Sequence, residues 1–170
     1  MSYLTFNKLN SMPQTIQKSL NGNTQFNKQY TVFLSHRHTD KEAVKKAVGF
    51  LAQFGQKTYI DWLDHSMPSR TSSETADKLK NRITKSNKFV LLATPKSLES
   101  IWIPWELGIA DGVKGLERIA ILPLVNNDTN WDEREYYGLY NYIEQVSDGR
   151  WGVFKQGEST GVPLESWFEV

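Results

Sequence analysis

No cysteine occurs among the 170 residues, which removes disulfides, thiolate nucleophiles, iron–sulfur ligands and every thiolate zinc site at once. An excess of either charge sign is also missing: 20 Lys and Arg stand against 19 Asp and Glu, a formal net charge of +1. With no global field to draw it onto a polyanion, the chain is not expected to bind nucleic acid or an anionic membrane surface. No apolar run approaches the roughly 18 residues of a membrane helix. The start, MSYLTFNKLNSMPQ, has neither a basic lead nor an apolar h-region, so a cytoplasmic, unprocessed protein is expected. A G-x-G-x-x-G does not follow the first predicted strand and G-x-x-x-x-G-K-[ST] occurs nowhere. A dinucleotide fingerprint and a P-loop are thereby excluded. Internal repeats and long low-complexity tracts are absent as well.

What is present is 39% hydrophobic and 23% charged residues, enough for one domain around a single core. Residues 1–29 are rich in Asn, Gln, Ser and Lys and read as an N-terminal extension, either a short docked helix or a loose arm. The main domain is expected over residues 30–170. The run YTVFLS at 30–35 has strand character. Thr39 and Glu42 have capping-box spacing, and Val44, Ala47, Val48, Leu51 and Phe54 then recur at the helical period until Gly55 stops the helix. KTYIDW at 57–62 predicts a second strand. A second capping box at Thr71 and Glu74 opens a helix with Ala76, Leu79 and Ile83 on one face and a solvated face of Lys78, Lys80, Arg82 and Lys85. FVLLA at 89–93 is continuously apolar, the pattern of a central strand covered on both faces. Pro104 fits the first position of a helix running to about Gly112, and residues 118–125 form a fourth strand. A fifth strand at 151–155 and a closing helix complete the expectation. This alternation predicts a doubly wound parallel α/β sheet of about five strands.

In such a sheet the ligand crevice lies outside the carboxyl ends of the strands, which nominates the loops at 35–40, 61–70 and 94–106. The first loop, Ser35-His36-Arg37-His38-Thr39-Asp40, has an H-x-H-x-D spacing that resembles the metal loop of metallo-β-lactamase-fold hydrolases. That family needs a His directly after the Asp, where Lys41 stands, and further histidines downstream, where only His65 remains. No metal site is therefore expected; Asp40 reads as a helix start and the histidines as loop residues. A Ser35–His36–Asp40 triad is disfavoured because strand neighbours point to opposite faces and no G-x-S-x-G elbow exists. In the third loop, Trp102-Ile103-Pro104-Trp105-Glu106-Leu107-Gly108 puts a carboxylate four residues after a Trp near a helix N-terminus. There the helix dipole is expected to favour the ionised form, suited to stabilising positive charge. The alternative is a routine acid in a first helical turn beside core tryptophans.

YTVFLSHRHTD, YIDWLDHSMP, KFVLLATPKSLESIWIPWELG and RIAILPLV, in that order, resemble a bacterial Toll/interleukin-1 receptor (TIR) domain over about residues 30–125 and the tail. The Phe33-Leu34-Ser35-His36 box and the Trp102-x-x-x-Glu106-Leu107 box are the most specific pieces. The likeness is nearest to the small stand-alone TIR proteins of anti-phage systems such as Thoeris. It implies a flavodoxin-like fold and, from the W-x-x-x-E box, Glu106 as the catalytic residue of an NAD-cleaving enzyme, with NAD as substrate and no cofactor or metal. Nicotinamide is a neutral leaving group, so the barrier lies in an oxocarbenium-like ribose that one carboxylate can stabilise without a paired acid.

The same resemblance nominates Phe33, Ser35 and Arg37 near ribose or adenine. It likens residues 61–68 to a gating BB loop, with Asp61, Trp62 and Ser66 toward substrate, Trp62 either stacking on a base or ending its strand, and Trp102 shaping the pocket wall. Assembly through TIR–TIR contacts and a separate effector that senses the product are further implications. Ile103-Pro104 stands where family members carry a Cys after the Trp. The product is left open among ADP-ribose, a cyclic ADP-ribose isomer and an ADP-ribosyl conjugate. Two other readings stand beside it: a non-catalytic TIR–TIR adaptor module, and a nucleoside deoxyribosyltransferase-like enzyme with Glu106 as covalent nucleophile.

Overall fold

The runs richest in apolar residues become the middle of one sheet. The computed structural model describes residues 2–11, 31–64, 72–126 and 135–170. Its strands are β1 (Leu4–Thr5), β2 (Val32–Ser35), β3 (Thr58–Tyr59), β4 (Lys88–Ala93), β5 (Ile119–Val125), β6 (Asn141–Gln145), β7 (Trp151–Phe154) and β8 (Gly161–Pro163). Its helices are α1 (Phe6–Ser11), α2 (Lys41–Gln53), α3 (Ser73–Lys85), α4 (Trp102–Lys114) and α5 (Leu164–Glu169).

The sheet runs β3-β2-β4-β5-β6-β7-β8, with β1 paired to β5 off that path. β3 through β6 in this order are parallel, the strand order of a flavodoxin-like fold. The fifth parallel strand is β6 and not the predicted 151–155 segment, which forms β7 and pairs antiparallel. β6 escaped the periodicity because Asn141, Glu144 and Gln145 break its apolar pattern, leaving only Tyr142 and Ile143 buried.

Period-2 alternation sorts the core onto two faces. Val32, Leu34, Val90, Leu92, Ala120 and Leu122 pack with α1, α2 and α5. Phe33, Phe89, Leu91, Ala93, Ile119 and Ile121 pack with α3 and α4. The N-terminal segment takes part in this core: β1 lies parallel to β5, Ser2 bridges Gln145, and Leu4 and Leu9 are buried. Pro123, which donates no backbone bond, falls between the stretch of β5 paired with β6 and the stretch paired with β1.

Three local expectations are corrected. β3 is only two residues long, and Asp61–Leu63 turns into a 3-10 segment as the Asp61 carboxylate accepts the Trp62 N–H at 2.8 Å. α3 is capped by Ser72 with Thr75 in a reciprocal box, while Thr71 of the expected box with Glu74 lies outside the described residues. Arg82 leaves the solvated face of α3 to bind Asp64 through Nε at 3.1 Å and Nη2 at 2.9 Å, above the Tyr59 ring. Gly55 stops α2 as expected, at φ 72°. No helix among the described residues is long and apolar enough to cross a membrane.

Candidate active site

The crevice forms where the chain reverses its winding, between β2 and its neighbour β4. Thr94, just past β4, donates through Oγ1 to Asp40 Oδ2 at 2.6 Å and so ties the two loops across this point. Asp40 stands at the N-cap position of α2, the helix start expected of it, but no side chain caps the helix there, so the expected Thr39–Glu42 capping box does not form. Thr94 and Ser97 exchange N–H to hydroxyl bonds of 3.1 and 3.0 Å, fixing the loop after β4. A crevice of about 650 Å³ opens here, lined by His38, Thr39, Asp40, Thr94, Pro95 and Lys96 among others. Glu106 is not among its lining residues.

Glu106 reaches the sheet because of where α4 begins. The helix starts at Trp102, so Pro104 is its third residue, where no intrahelical N–H is needed, and the helix continues past Gly112 to Lys114. Ile103, Glu106, Leu107 and Ala110 then share one buried stripe at spacings of three and four. On the facing strand, alternation points Ser35 to the same side as Phe33, toward α4. The Ser35 hydroxyl donates to Glu106 Oε2 at 2.5 Å, both residues being buried.

Burial pushes the Glu106 carboxyl up to about 8, against the Ser35 hydrogen bond; the Asp61 charge raises it further and that of His38 lowers it. This overturns the expectation of an ionised group held by the helix dipole. Glu106 is the fifth residue of α4, beyond the first turn in which the dipole acts, and desolvation prevails. Burial thus favours the protonated carboxyl, and a cation brought against it would favour the ionised form.

Asp61 comes level with the end of β2 through strand register. Phe33 pairs with Tyr59, so two residues on, Asp61 lies beside Ser35 and the loop that follows. It binds His38 Nε2 directly and faces His36 Nε2 at 3.4 Å. His36 is buried, and its ring stands edge-on to Trp62 at 4.6 Å. Burial of Asp61 works against ionisation, but the His38 hydrogen bond, the His38 charge and the Trp62 N–H hold its carboxyl below the ordinary range.

The remaining nominated residues divide. Phe33 is 2% exposed and stacks between Tyr59 at 5.4 Å and Phe89 at 5.5 Å, so its ring belongs to the core beneath the site. Truncation there would cost about 3–5 kcal/mol of packing. Arg37 donates to Lys96 O and to Glu99 Oε2, both at 2.6 Å, joining the loops after β2 and β4. Trp62 is partly buried against the α2 side of the core, and Trp102 meets Trp105 edge-on at 5.4 Å. Ser66 lies outside the described residues, as do His65 and the rest of the second half of the predicted gating loop.

Sequence reasoning set aside His36 and His38, and missed the Asp64–Arg82 pair. The histidine signal was H-x-H directly after a buried strand; its carboxylate partner comes from β3 and not from Asp40.

The model of the TIR domain family matches residues 32–152, more than half of the chain. Among named proteins, the chain is 34% identical over 121 residues to "Probable 3' cyclic ADP-D-ribose synthase ThsB'" of Bacillus cereus (strain MSX-D12), covering 69% of this chain and 62% of that protein. It is 35% identical over 88 residues to "Putative cyclic ADP-D-ribose synthase TIR2" of Cytobacillus dafuensis, covering 50% of this chain and 23% of that protein. It thus spans less than two thirds of the length of either relative. The crystal structure of the TIR domain of Toll-related Receptor TRR-2 from Hydra magnipapillata aligns with a TM-score of 0.46 at 18% identity, covering 63% of this chain and 77% of that one. With the parallel β3-β2-β4-β5-β6 core and the family match over residues 32–152, the chain belongs to the TIR domain family.

Proposed function

We propose that this chain is an NAD-consuming TIR enzyme that cleaves the ribose–nicotinamide bond and closes the remaining ADP-ribosyl group into a cyclic ADP-ribose isomer. The observation that carries the reading is Glu106, buried on α4 and gripped by Ser35 at 2.5 Å at the carboxyl end of the sheet. In the reaction the bond from the ribose C1′ to the pyridinium nitrogen breaks, and its electron pair stays on nicotinamide, which leaves neutral. The cationic ribosyl carbon is then taken by a nitrogen or hydroxyl of the same molecule, which gives up its proton. A cation placed against Glu106 favours the ionised carboxylate, which then faces the charge developing on the ribose. Arg37, Asp61 and Trp62 border the same end of the sheet and serve the substrate there, with Ser66 and Trp102 assigned to it by the family pattern.

The names of the two relatives support cyclisation over hydrolysis to ADP-ribose or transfer to a separate nucleophile. With this reading go, as the resemblance to stand-alone bacterial TIR proteins implies, a cytoplasmic role in anti-phage defence, self-association through TIR–TIR contacts, and a separate effector that senses the product. The decisive experiment follows nicotinamide release from NAD by the concentrated protein, with chromatography of the ADP-ribosyl product. Glu106→Gln is expected to lose about a hundredfold or more in rate while remaining folded. Retained turnover in that variant ends the assignment.

A second reading, a non-catalytic assembly module, is favoured by one observation: Glu106 is only 6% exposed and does not line the crevice between the loops after β2 and β4. Self-association without nicotinamide release at any protein concentration would select it.

A further inference from the structure

We infer that His36, His38 and Asp61 form a binding site for a divalent transition-metal ion of the zinc class, with both imidazole Nε2 atoms and a carboxylate oxygen as ligands. One potential ligand atom from each of the three residues lies within 4.8 Å of the others. The orientation of His36 is the strongest support. Its Nδ1 lies 2.8 Å from the Leu34 carbonyl, which can only accept, so Nδ1 carries the proton and Nε2 presents its lone pair. That Nε2 is buried without a hydrogen-bond partner and faces Asp61 Oδ1 at 3.4 Å.

A neutral imidazole nitrogen and a carboxylate oxygen are both acceptors, and two acceptors turned toward each other in the interior are unfavourable. A cation shared between the two atoms removes the conflict. Ligands about 2.0–2.2 Å from a tetrahedral ion stand roughly 3.2–3.6 Å apart, so the His36–Asp61 pair already has the right bite. The Nδ1 contact to a backbone carbonyl is the outer-sphere anchor that metal-binding histidines usually make.

His38 supplies the third ligand by exchanging its hydrogen bond with Asp61 for the ion, and its 64% exposed side chain leaves a route in from solvent. Two imidazoles and one carboxylate suit zinc, cobalt or nickel and disfavour calcium and magnesium, which want oxygen ligands throughout. Three protein ligands leave at least one position for water. The sequence pattern H-x-H-x-D thus has metal-binding content after all, with Asp61 in the place first considered for Asp40. The inference is independent of the NAD reading, because its readout is coordination and not turnover.

The test is a titration of the untagged, chelator-treated chain with cobalt(II), followed by the visible d–d band and then by displacement with zinc. One equivalent is expected to saturate the band, and zinc to abolish it. His38→Ala, at an exposed position, and Asp61→Asn are each expected to weaken cobalt binding by roughly a hundredfold. Circular dichroism confirms that both variants are folded. Absence of a saturable one-equivalent band in the wild-type chain overturns the site, and so does unchanged affinity in either folded variant.

Discussion

Two carboxyl groups sit at the carboxyl end of the sheet, Glu106 buried and Asp61 half-buried, and their surroundings push them toward opposite protonation states. Asp61, at the end of β3, is kept below the ordinary carboxylate range, while Glu106, on α4, is pushed up to about 8. Burial opposes ionisation in both, so burial does not decide between them. The number of donors does. Asp61 has the His38 imidazole and the Trp62 N–H donating to it, whereas Glu106 has the Ser35 hydroxyl and, as a further disadvantage, the negative charge of Asp61. Neighbouring groups driven apart in this way are the arrangement that proton-handling sites use. The fold creates the contrast by letting the loop after β2 face β3 while its last strand residue faces α4.

The largest effect that breaks this contrast comes from removing the ability of Glu106 to ionise. Its folded pKa lies above the ordinary value of 4.5, so between those two values the folded protein keeps a proton that the unfolded chain has released. Folding stability from this group is therefore greatest at low pH and is lost as pH rises toward about 8. Glutamine carries no such penalty, and its carbonyl still accepts from Ser35. Glu106→Gln is expected to match the wild-type chain near pH 4.5 and to gain on it by about 1.36 kcal/mol per pH unit up to its folded pKa. Urea unfolding at a series of pH values measures this, and parallel curves would show that Glu106 does not titrate in the interior.

A smaller effect sharpens the donor argument. Ser35→Ala removes the hydrogen bond that favours the charged form of Glu106, so the carboxyl should move higher still. The expected stability loss is about 1 kcal/mol at neutral pH. If NAD is the substrate and the carboxylate the active form, the acid limb of kcat/KM should shift to higher pH in this variant, since that ratio reports the free protein. An unshifted limb would assign it to another group.

How much of this was legible beforehand follows from which residues carry periodic information. β4 and β5 announce themselves because every position is buried, and α2 and α3 because their apolar stripes keep the helical period. The Ser35–Glu106 contact was readable in principle: alternation puts Ser35 with Phe33, and Glu106 falls on the stripe of Ile103, Leu107 and Ala110. Its protonation was not, because the expected start at Pro104 placed Glu106 in the first helical turn, two residues nearer the N-terminus than it is. Asp61 was nominated by loop position, but its pairing with His36 and His38 depends on the parallel register of β2 with the two-residue β3. Strands that short leave too little pattern for register to be read. β6 and β8 stayed hidden for the same reason, their polar and exposed residues giving no run to recognise.

Glu99 provides the smallest effect and the control for the other two. It lies in the same loop region and pairs with Arg37 at 2.6 Å, a shorter separation than most ion pairs in the molecule. Its side chain is 70% exposed, however, so water solvates the carboxylate with or without the arginine. Exposed pairs of this kind are worth only about 0–1 kcal/mol. Arg37 also keeps its bond to the Lys96 carbonyl, so the link between the two loops survives loss of the glutamate charge. Glu99→Gln should therefore change unfolding free energy by less than about 0.5 kcal/mol. A larger effect would mean that charge at this rim reaches Glu106, and that donors in direct contact are not what separates the two carboxyls.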